Sequence, residues 1–115
     1  METTKPQNLQ YEDFAKLDIR VGSVLSIEAV PKSKKLLKLE VSFGPVLGNR
    51  TILAGVASAL PDRLVVGQKV VAVLNLAPRE MMGVLSNGML LASHDEEDKI
   101  WLVSCGSVPD GSDVG

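Results

Sequence analysis

The residues in this chain that could do chemistry are mostly ones that hold phosphate. Lys32, Lys34, Lys35 and Lys38 crowd one stretch behind Pro31, while Arg50 and Arg79 each follow turn-forming residues, Gly48-Asn49 and Pro78. Ammonium and guanidinium groups gathered on loops neutralise phosphates, although a lysine run by itself also fits a solvated loop. Ser86 and Asn87 stand between Gly83 and Gly88, and a hydroxyl and an amide can each hydrogen-bond a phosphate or a ribose 2′-hydroxyl. Catalytic constellations are lacking. His94 is the single histidine and Cys105 the single cysteine, so together they supply at most two soft ligands for a metal. A Ser86, His94, Asp95 triad fails on two counts: no G-x-S-x-G surrounds Ser86, and His94 is adjacent to Asp95. Gly83 and Gly88 fit neither a P-loop nor a dinucleotide fingerprint. The expectation is a protein with no catalytic residue, no metal and no cofactor.

Charge placement matters more than its total. The net charge is −2, with 12 basic and 14 acidic residues. Ten of the basic residues lie between Phe14 and Ala92 against five acids, whereas Lys99 alone faces six acids after Ser93. The body is basic and the end acidic, which leaves room for a local positive face with few phosphate contacts. At 115 residues, 45% hydrophobic and 23% charged, the chain suits one domain with a modest core. No apolar run is long enough to cross a bilayer, and the first residues lack the apolar core of a signal peptide. A lone cysteine makes no internal disulfide, so the expectation is a cytoplasmic protein with a reduced thiol and no membrane contact.

The elements that must position these groups read as short strands. Leu17, Ile19 and Val21 alternate with polar residues, and Val24, Leu25 and Ile27 resume the pattern after Gly22, which marks a bulge in a bent first strand. Leu37, Leu39, Val41 and Phe43 alternate strictly, predicting a strand with one buried face. Gly44-Pro45 and Gly48-Asn49 predict a turn before a third strand over 51–56. Residues 57–64 suit a short helix or turn between the third and fourth strands. Residues 69–74 read as a buried strand, and residues 88–92 and 100–103 as a last hairpin across an acidic turn. The predicted fold is all-β: a five-stranded Greek-key OB-fold barrel with one short helix between strands 3 and 4. Residues 1–10 form a loose terminus, and the domain spans 11–115. Asn75 to Ser93 reads as a binding loop running into a buried strand.

That last segment carries a resemblance. Asn75, Leu76, Pro78, Gly83, Ser86, Gly88, Met89, Leu91 and Ala92 match the pattern N-L-x-P-x-x-x-x-G-x-x-S-x-G-M-x-L-A. The stretch from Asp13 to Gly22 is similar to the opening D-F-x-K-x-D-[IL]-R-V-G. Both signatures belong to the tRNA-binding domain found as free small proteins and appended to methionyl-tRNA synthetases. The resemblance covers about residues 11–113. Two departures stand out: Pro31-Lys32-Ser33-Lys34-Lys35-Leu36 replaces a P-x-A-D-K-L element, adding positive charge, and Glu80 replaces a basic residue.

The resemblance implies a non-catalytic module that binds folded tRNA through backbone and shape, free or as a synthetase accessory subunit. Ser86, Asn87 and Met89 carry over as RNA-proximal loop positions, with Met89 fitting core filler equally well. Asn75 suits a ligand or a loop-fixing residue, and Lys34, Lys35, Arg50 and Arg79 would form a positive rim. Phe43 on an apolar face and Trp101 in the last apolar strand leave few platforms for stacking single-stranded bases, which favours folded RNA. The implied partners are tRNA, a second copy of the chain in a homodimer, and an aminoacyl-tRNA synthetase. Two other readings stay open. One is a CsaA-type secretion chaperone that binds unfolded polypeptide, a group that tends to lose the S-x-G-M element kept here. The other is an OB domain that docks a protein partner.

Overall fold

The computed structural model describes residues 8–55, 64–97 and 99–115. A short helix α1 (Tyr11–Ala15) precedes β1 (Ile19–Ala29), β2 (Leu37–Ser42), a single helical turn α2 (Gly44–Leu47) and β3 (Asn49–Ala54). Further along the chain come β4 (Lys69–Val73), β5 (Arg79–Met81), β6 (Val84–Ser86), β7 (Met89–Leu90), β8 (Ala92–His94) and β9 (Ile100–Leu102). Five strands make one antiparallel sheet in the order β3-β2-β1-β4-β7, and β7 curls back towards β3, so the sheet is a nearly closed OB-like barrel. The predicted fold class is the observed one.

Side-chain alternation builds the core. Leu39, Val41 and Phe43, on alternate residues of β2 and its end, are fully buried, together with Val24 and Ile52. Burying one such aliphatic or aromatic side chain contributes about 1.5–3 kcal/mol. Strand β1 needs an irregularity to join them. Its register with β2 shifts between Val24 and Ser26, so Leu25 is the extra residue and both Val24 and Ile27 reach the core across an odd spacing. The bulge therefore lies three residues beyond Gly22. Glycine at 22 answers a different need: a Cβ there would stand 2.7 Å from both Phe43 and Val41 side chains, so β1 could not lie this close to β2.

Strand β4 is buried on both faces. Val70, Ala72 and Leu74 enter the barrel core, while Val71 and Val73 form an outer cluster with Ile19 and Val21, covered by Leu91 and Val114. The cover comes from residues 110–114, which run along the free edge of β1. Gly111 donates its N–H to the Val21 carbonyl at 2.7 Å, Val21 donates to Ser112 at 3.0 Å, and Val114 donates to Ile19 at 2.9 Å. The Asp110 carboxylate locks this strap, accepting hydrogen bonds from Lys69 Nζ and Ser23 Oγ, each at 2.6 Å. Arg20 adds a bond to the Gly111 carbonyl while its Nε holds Asp18 at 2.7 Å.

Three other details depart from the sequence reading. The turn expected at residues 44–49 contains α2, with Pro45 at its start, where a missing N–H costs nothing. The expected last hairpin is divided: β7 joins the main sheet, Leu91 bends the chain, and β8 pairs with β9 instead. Trp101, expected in an apolar strand, is half-exposed and donates its indole N–H to Asp95. Tyr11 and Phe14 are exposed too, so Phe43 is the one aromatic that the core consumes. The helix expected over residues 57–64 falls almost wholly outside the described residues, as does most of the loose terminus at 1–10.

The Asp110 lock makes a stability prediction. Burial pushes this carboxyl up, but Lys69 and Ser23 outweigh it and hold it below its ordinary 3.8. A depressed carboxyl stabilises the fold above the ordinary carboxylate range, and the contribution is lost as pH falls through the lowered value. Asp110→Asn should therefore cost about 1.5–3 kcal/mol at neutral pH, the range for hydrogen bonds to a charged group. It should also flatten the loss of stability below about pH 4. Urea melts of both proteins from neutral to acid pH check it; parallel acid profiles would refute the lock.

Candidate functional site

The site assembles where the barrel closes. On one side β3 is paired with β2; its other edge meets the link between β6 and β7. Asn87 donates its backbone N–H to the Thr51 carbonyl at 2.8 Å, and the Leu53 N–H is received by the Ser86 hydroxyl oxygen at 2.9 Å. A side-chain oxygen thus replaces a backbone carbonyl in the last rung of the barrel. The Ser86 hydroxyl in turn donates to the Gly88 carbonyl at 3.2 Å, which bends the chain into β7. Gly88 has φ 155°, and a Cβ there would press on Ile52 at 3.0 Å. Only glycine lets the link lie this close to the core.

The stretch read from sequence as one loop contains a hairpin. Strands β5 and β6 pair Arg79 with Ser86, Glu80 with Leu85 and Met81 with Val84. Met82 and Gly83 form the two-residue turn, both at positive φ, 53° and 80°. Such a turn matches the twist of tight hairpins and asks for glycine at its second position. Alternation then puts Arg79 and Met81 on one face of β5 and Glu80 on the other.

Between this hairpin and β3 lies a cavity of about 130 Å³. Leu53, Leu76, Met81 and Met89 give it apolar walls, Arg79 is the single charged group lining it among the described residues, and Ala77, Ser86 and Gly88 also border it. Of the expected site residues, Arg79, Ser86 and Met89 meet here. Ser86 is buried and its hydroxyl is committed within the fold, whereas Met89 is half-exposed and Arg79 and Asn87 are exposed.

Arg50 and Asn75 secure the neighbouring loops. Arg50 Nη1 donates to the Leu74 carbonyl at 2.7 Å and the Asn87 carbonyl at 3.4 Å, joining β3 to the end of β4 and to the closing link. Asn75 accepts the Asp18 N–H at 2.8 Å and donates to the Lys16 carbonyl at 2.6 Å, so its amide ties the β4–β5 loop to the segment before β1. Lys34 and Lys35 are exposed on the β1–β2 loop, which enters β2 at Leu37 opposite Ala54, next to Leu53 of the cavity. Ser33 shapes that loop by accepting the N–H groups of Lys35 and Leu36. Leu53, Leu76, Ala77 and Met81 were not among the expected site residues, Leu76 entering the sequence reading only as a position of the motif. Their signal was there, since Leu76 and Met81 are apolar residues in a segment otherwise rich in turn formers.

Charge on this side is uneven in use. Arg20 is held by Asp18, which raises its guanidinium further, and Lys69 is held by Asp110. Arg79, Lys34 and Lys35 make no ion pair within the 4.0 Å range among the described residues. In those residues no cluster of three or more His, Cys, Asp or Glu is placed to hold a metal. Among the described residues no helix is long and apolar enough to cross a membrane.

Comparison with known proteins converges on one family. The sequence profile described as "Putative tRNA binding domain" matches residues 19–113. The methionine–tRNA ligase of Cytophaga hutchinsonii is 39% identical over 110 residues, which are 95% of this chain and 16% of the ligase. The chain thus spans about a sixth of that relative's length. Among solved structures, a MetRS-related protein from Pyrococcus horikoshii superposes with TM-score 0.87 at 35% identity, covering 96% of this chain and 100% of the other. The chaperone CsaA from Bacillus anthracis superposes with TM-score 0.81 at 28% identity, covering 94% and 99%.

Closure by a side chain yields a prediction. Ser86→Ala removes the acceptor of a buried N–H, which costs about 1–3 kcal/mol when left unpaired. The loss should appear in thermal melts and as faster amide exchange at Leu53. Unchanged stability would mean that the seam does not need this hydroxyl.

Proposed function

Because this chain belongs to the tRNA-binding domain family, we propose that it is a non-catalytic module that holds folded tRNA, acting free or beside a synthetase in the cytoplasm. One observation carries the reading. Arg79, Asn87 and Met89 converge, exposed, on the seam that Ser86, Arg50 and Asn75 hold in shape, with the Lys34 and Lys35 loop at the near end of β3. Arg79 and the two lysines meet phosphates, and Asn87 offers an amide to phosphate or ribose. Ser86, Arg50 and Asn75 act through the loops that they secure. Contacts of this kind position RNA without reading its sequence, which suits recognition by shape.

Affinity follows from the cations at hand. With Arg20 and Lys69 engaged inside the fold, about 2–5 phosphates remain within reach, and binding on the order of micromolar follows. Titration of total tRNA at two salt concentrations should give a correspondingly shallow log–log slope. Arg79→Ala and the Lys34→Ala/Lys35→Ala pair should each weaken all tRNAs alike and lower the slope, with the fold intact. Affinity that ignores both salt and these substitutions would refute the phosphate contacts.

Similarity to the CsaA chaperone and the apolar cavity walls support a second reading, capture of unfolded polypeptide. The same variants assayed with a reduced, unfolded protein separate the two. If they abolish that capture and leave tRNA binding intact, the chaperone reading prevails over both RNA binding and protein docking.

A homodimer belongs to the same proposal. No residue of α1 is buried, and Tyr11, Phe14, Leu17 and Leu25 are exposed on or near the first strand. Apolar side chains left in water at this density favour self-association. Sedimentation equilibrium at micromolar concentration should give twice the 12.3 kDa chain mass; a monomer throughout that range would reject it.

A further inference from the structure

The cavity at the closing seam is more specific than a phosphate rim requires. Phosphate contacts need cations on a surface, yet here apolar walls from Leu53, Leu76, Met81 and Met89 enclose about 130 Å³ beside one guanidinium. That volume is close to the roughly 150 Å³ of a cavity known to take one benzene ring. A single six-membered ring matches that space. The two thioethers suit a flat, polarisable ring, because sulfur packs favourably against aromatic edges and faces.

Backbone polar groups without a partner belong to the residues that border this cavity. Among the described residues, the backbone N–H groups of Ala77 and Gly88, both lining residues, make no hydrogen bond. The Gly88 carbonyl takes the Ser86 hydroxyl and keeps a lone pair. An apolar wall with a few convergent amides is the usual make-up of a site for a small heteroaromatic group. Charge agrees, since among the described residues Arg79 lines the cavity and no carboxylate does, Glu80 lying on the opposite face of β5. A base entering here would carry its own phosphate to Arg79.

We infer that this cavity receives one unstacked pyrimidine base from the bound RNA, with Arg79 on the adjoining phosphate. The inference rests on the RNA-binding reading and names the element of RNA that the site takes. It also supplies what the exposed strands lack at this seam, a stacking platform, by using methionine side chains in place of aromatic ones.

The test uses RNA hairpins of one stem with loops of uridine, of adenosine, or of abasic nucleotides, which keep the phosphates and remove the bases. The wild-type protein should bind the uridine loop about tenfold more tightly than the other two. Ala77→Leu fills the cavity from an exposed loop position, and should bind all three loops equally with an unchanged salt slope. In the wild-type protein, uridine monophosphate alone should shift the amide resonances of Ala77 and Gly88, a readout independent of any variant. Equal binding of uridine and abasic loops by a protein that still binds tRNA would overturn the cavity assignment and leave the tRNA reading standing. Equal binding of adenosine and uridine loops would overturn the choice of pyrimidine. Failure to bind any hairpin or tRNA would overturn both readings, and loss of unfolded-polypeptide capture alone in Ala77→Leu would give the cavity to an apolar side chain.

Discussion

Closing a small barrel leaves one edge to be satisfied, and in this protein the free edge of β3 sets the form of everything around it. A full strand there would hide the edge under a ladder of backbone bonds. Instead the chain passes as a short link, with the Asn87 N–H on the Thr51 carbonyl and the Ser86 hydroxyl on the Leu53 N–H. Because the link is irregular, it can turn outward into the β5–β6 hairpin on one side and inward to β7 on the other. The cavity is the space between that hairpin and β3. A regular strand would have filled it.

Cations divide between holding the fold and facing solvent. Arg20, Arg50 and Lys69 are spent on Asp18, on the Leu74 and Asn87 carbonyls, and on Asp110. Each of these partners lies in a segment that would otherwise be loosely attached: the approach to β1, the end of β4, the closing link, the strap at 110–114. Among the described residues Arg79, Lys34 and Lys35 make no such ion pair. An acidic protein can thus present a positive edge, since four of its 14 acids are gathered between β8 and β9, where Asp95 accepts the N–H groups of Glu97 and Lys99 and of the Trp101 indole.

Double-sided burial of β4 explains why the strap matters. A sheet with one wet face needs only alternating apolar residues, but Val70 to Val73 are apolar without interruption. The outer pair, Val71 and Val73, is covered by Leu91 and by Val114, which residues 110–114 bring over it by lying along β1. Asp110 ties that cover to β4 itself through Lys69.

Much of this was written in the chain as local pattern. Strict alternation at Leu37, Leu39, Val41 and Phe43 determined a half-buried strand, the unbroken run at Val70 to Val73 a doubly buried one, and the turn formers around Gly83 and Ser86 a loop of special geometry. The types of the site residues were legible too, because cations and amides on loops have few other uses. What each residue does was decided by tertiary structure. Ser86 reads as an exposed hydroxyl, yet it faces a β3 edge some thirty residues earlier in sequence and is buried by that contact. Arg50 reads as a surface ligand and Asn75 as either a ligand or a loop-fixing residue, and long-range carbonyls at Leu74, Asn87 and Lys16 make both of them fasteners. The bulge at Leu25 and the bend at Leu91 likewise depend on where the facing strands fall. Sequence alone determines which groups a segment carries and with what period. Only the folded chain determines which of them meet, because an unpaired backbone edge takes whatever donor or acceptor the topology brings beside it.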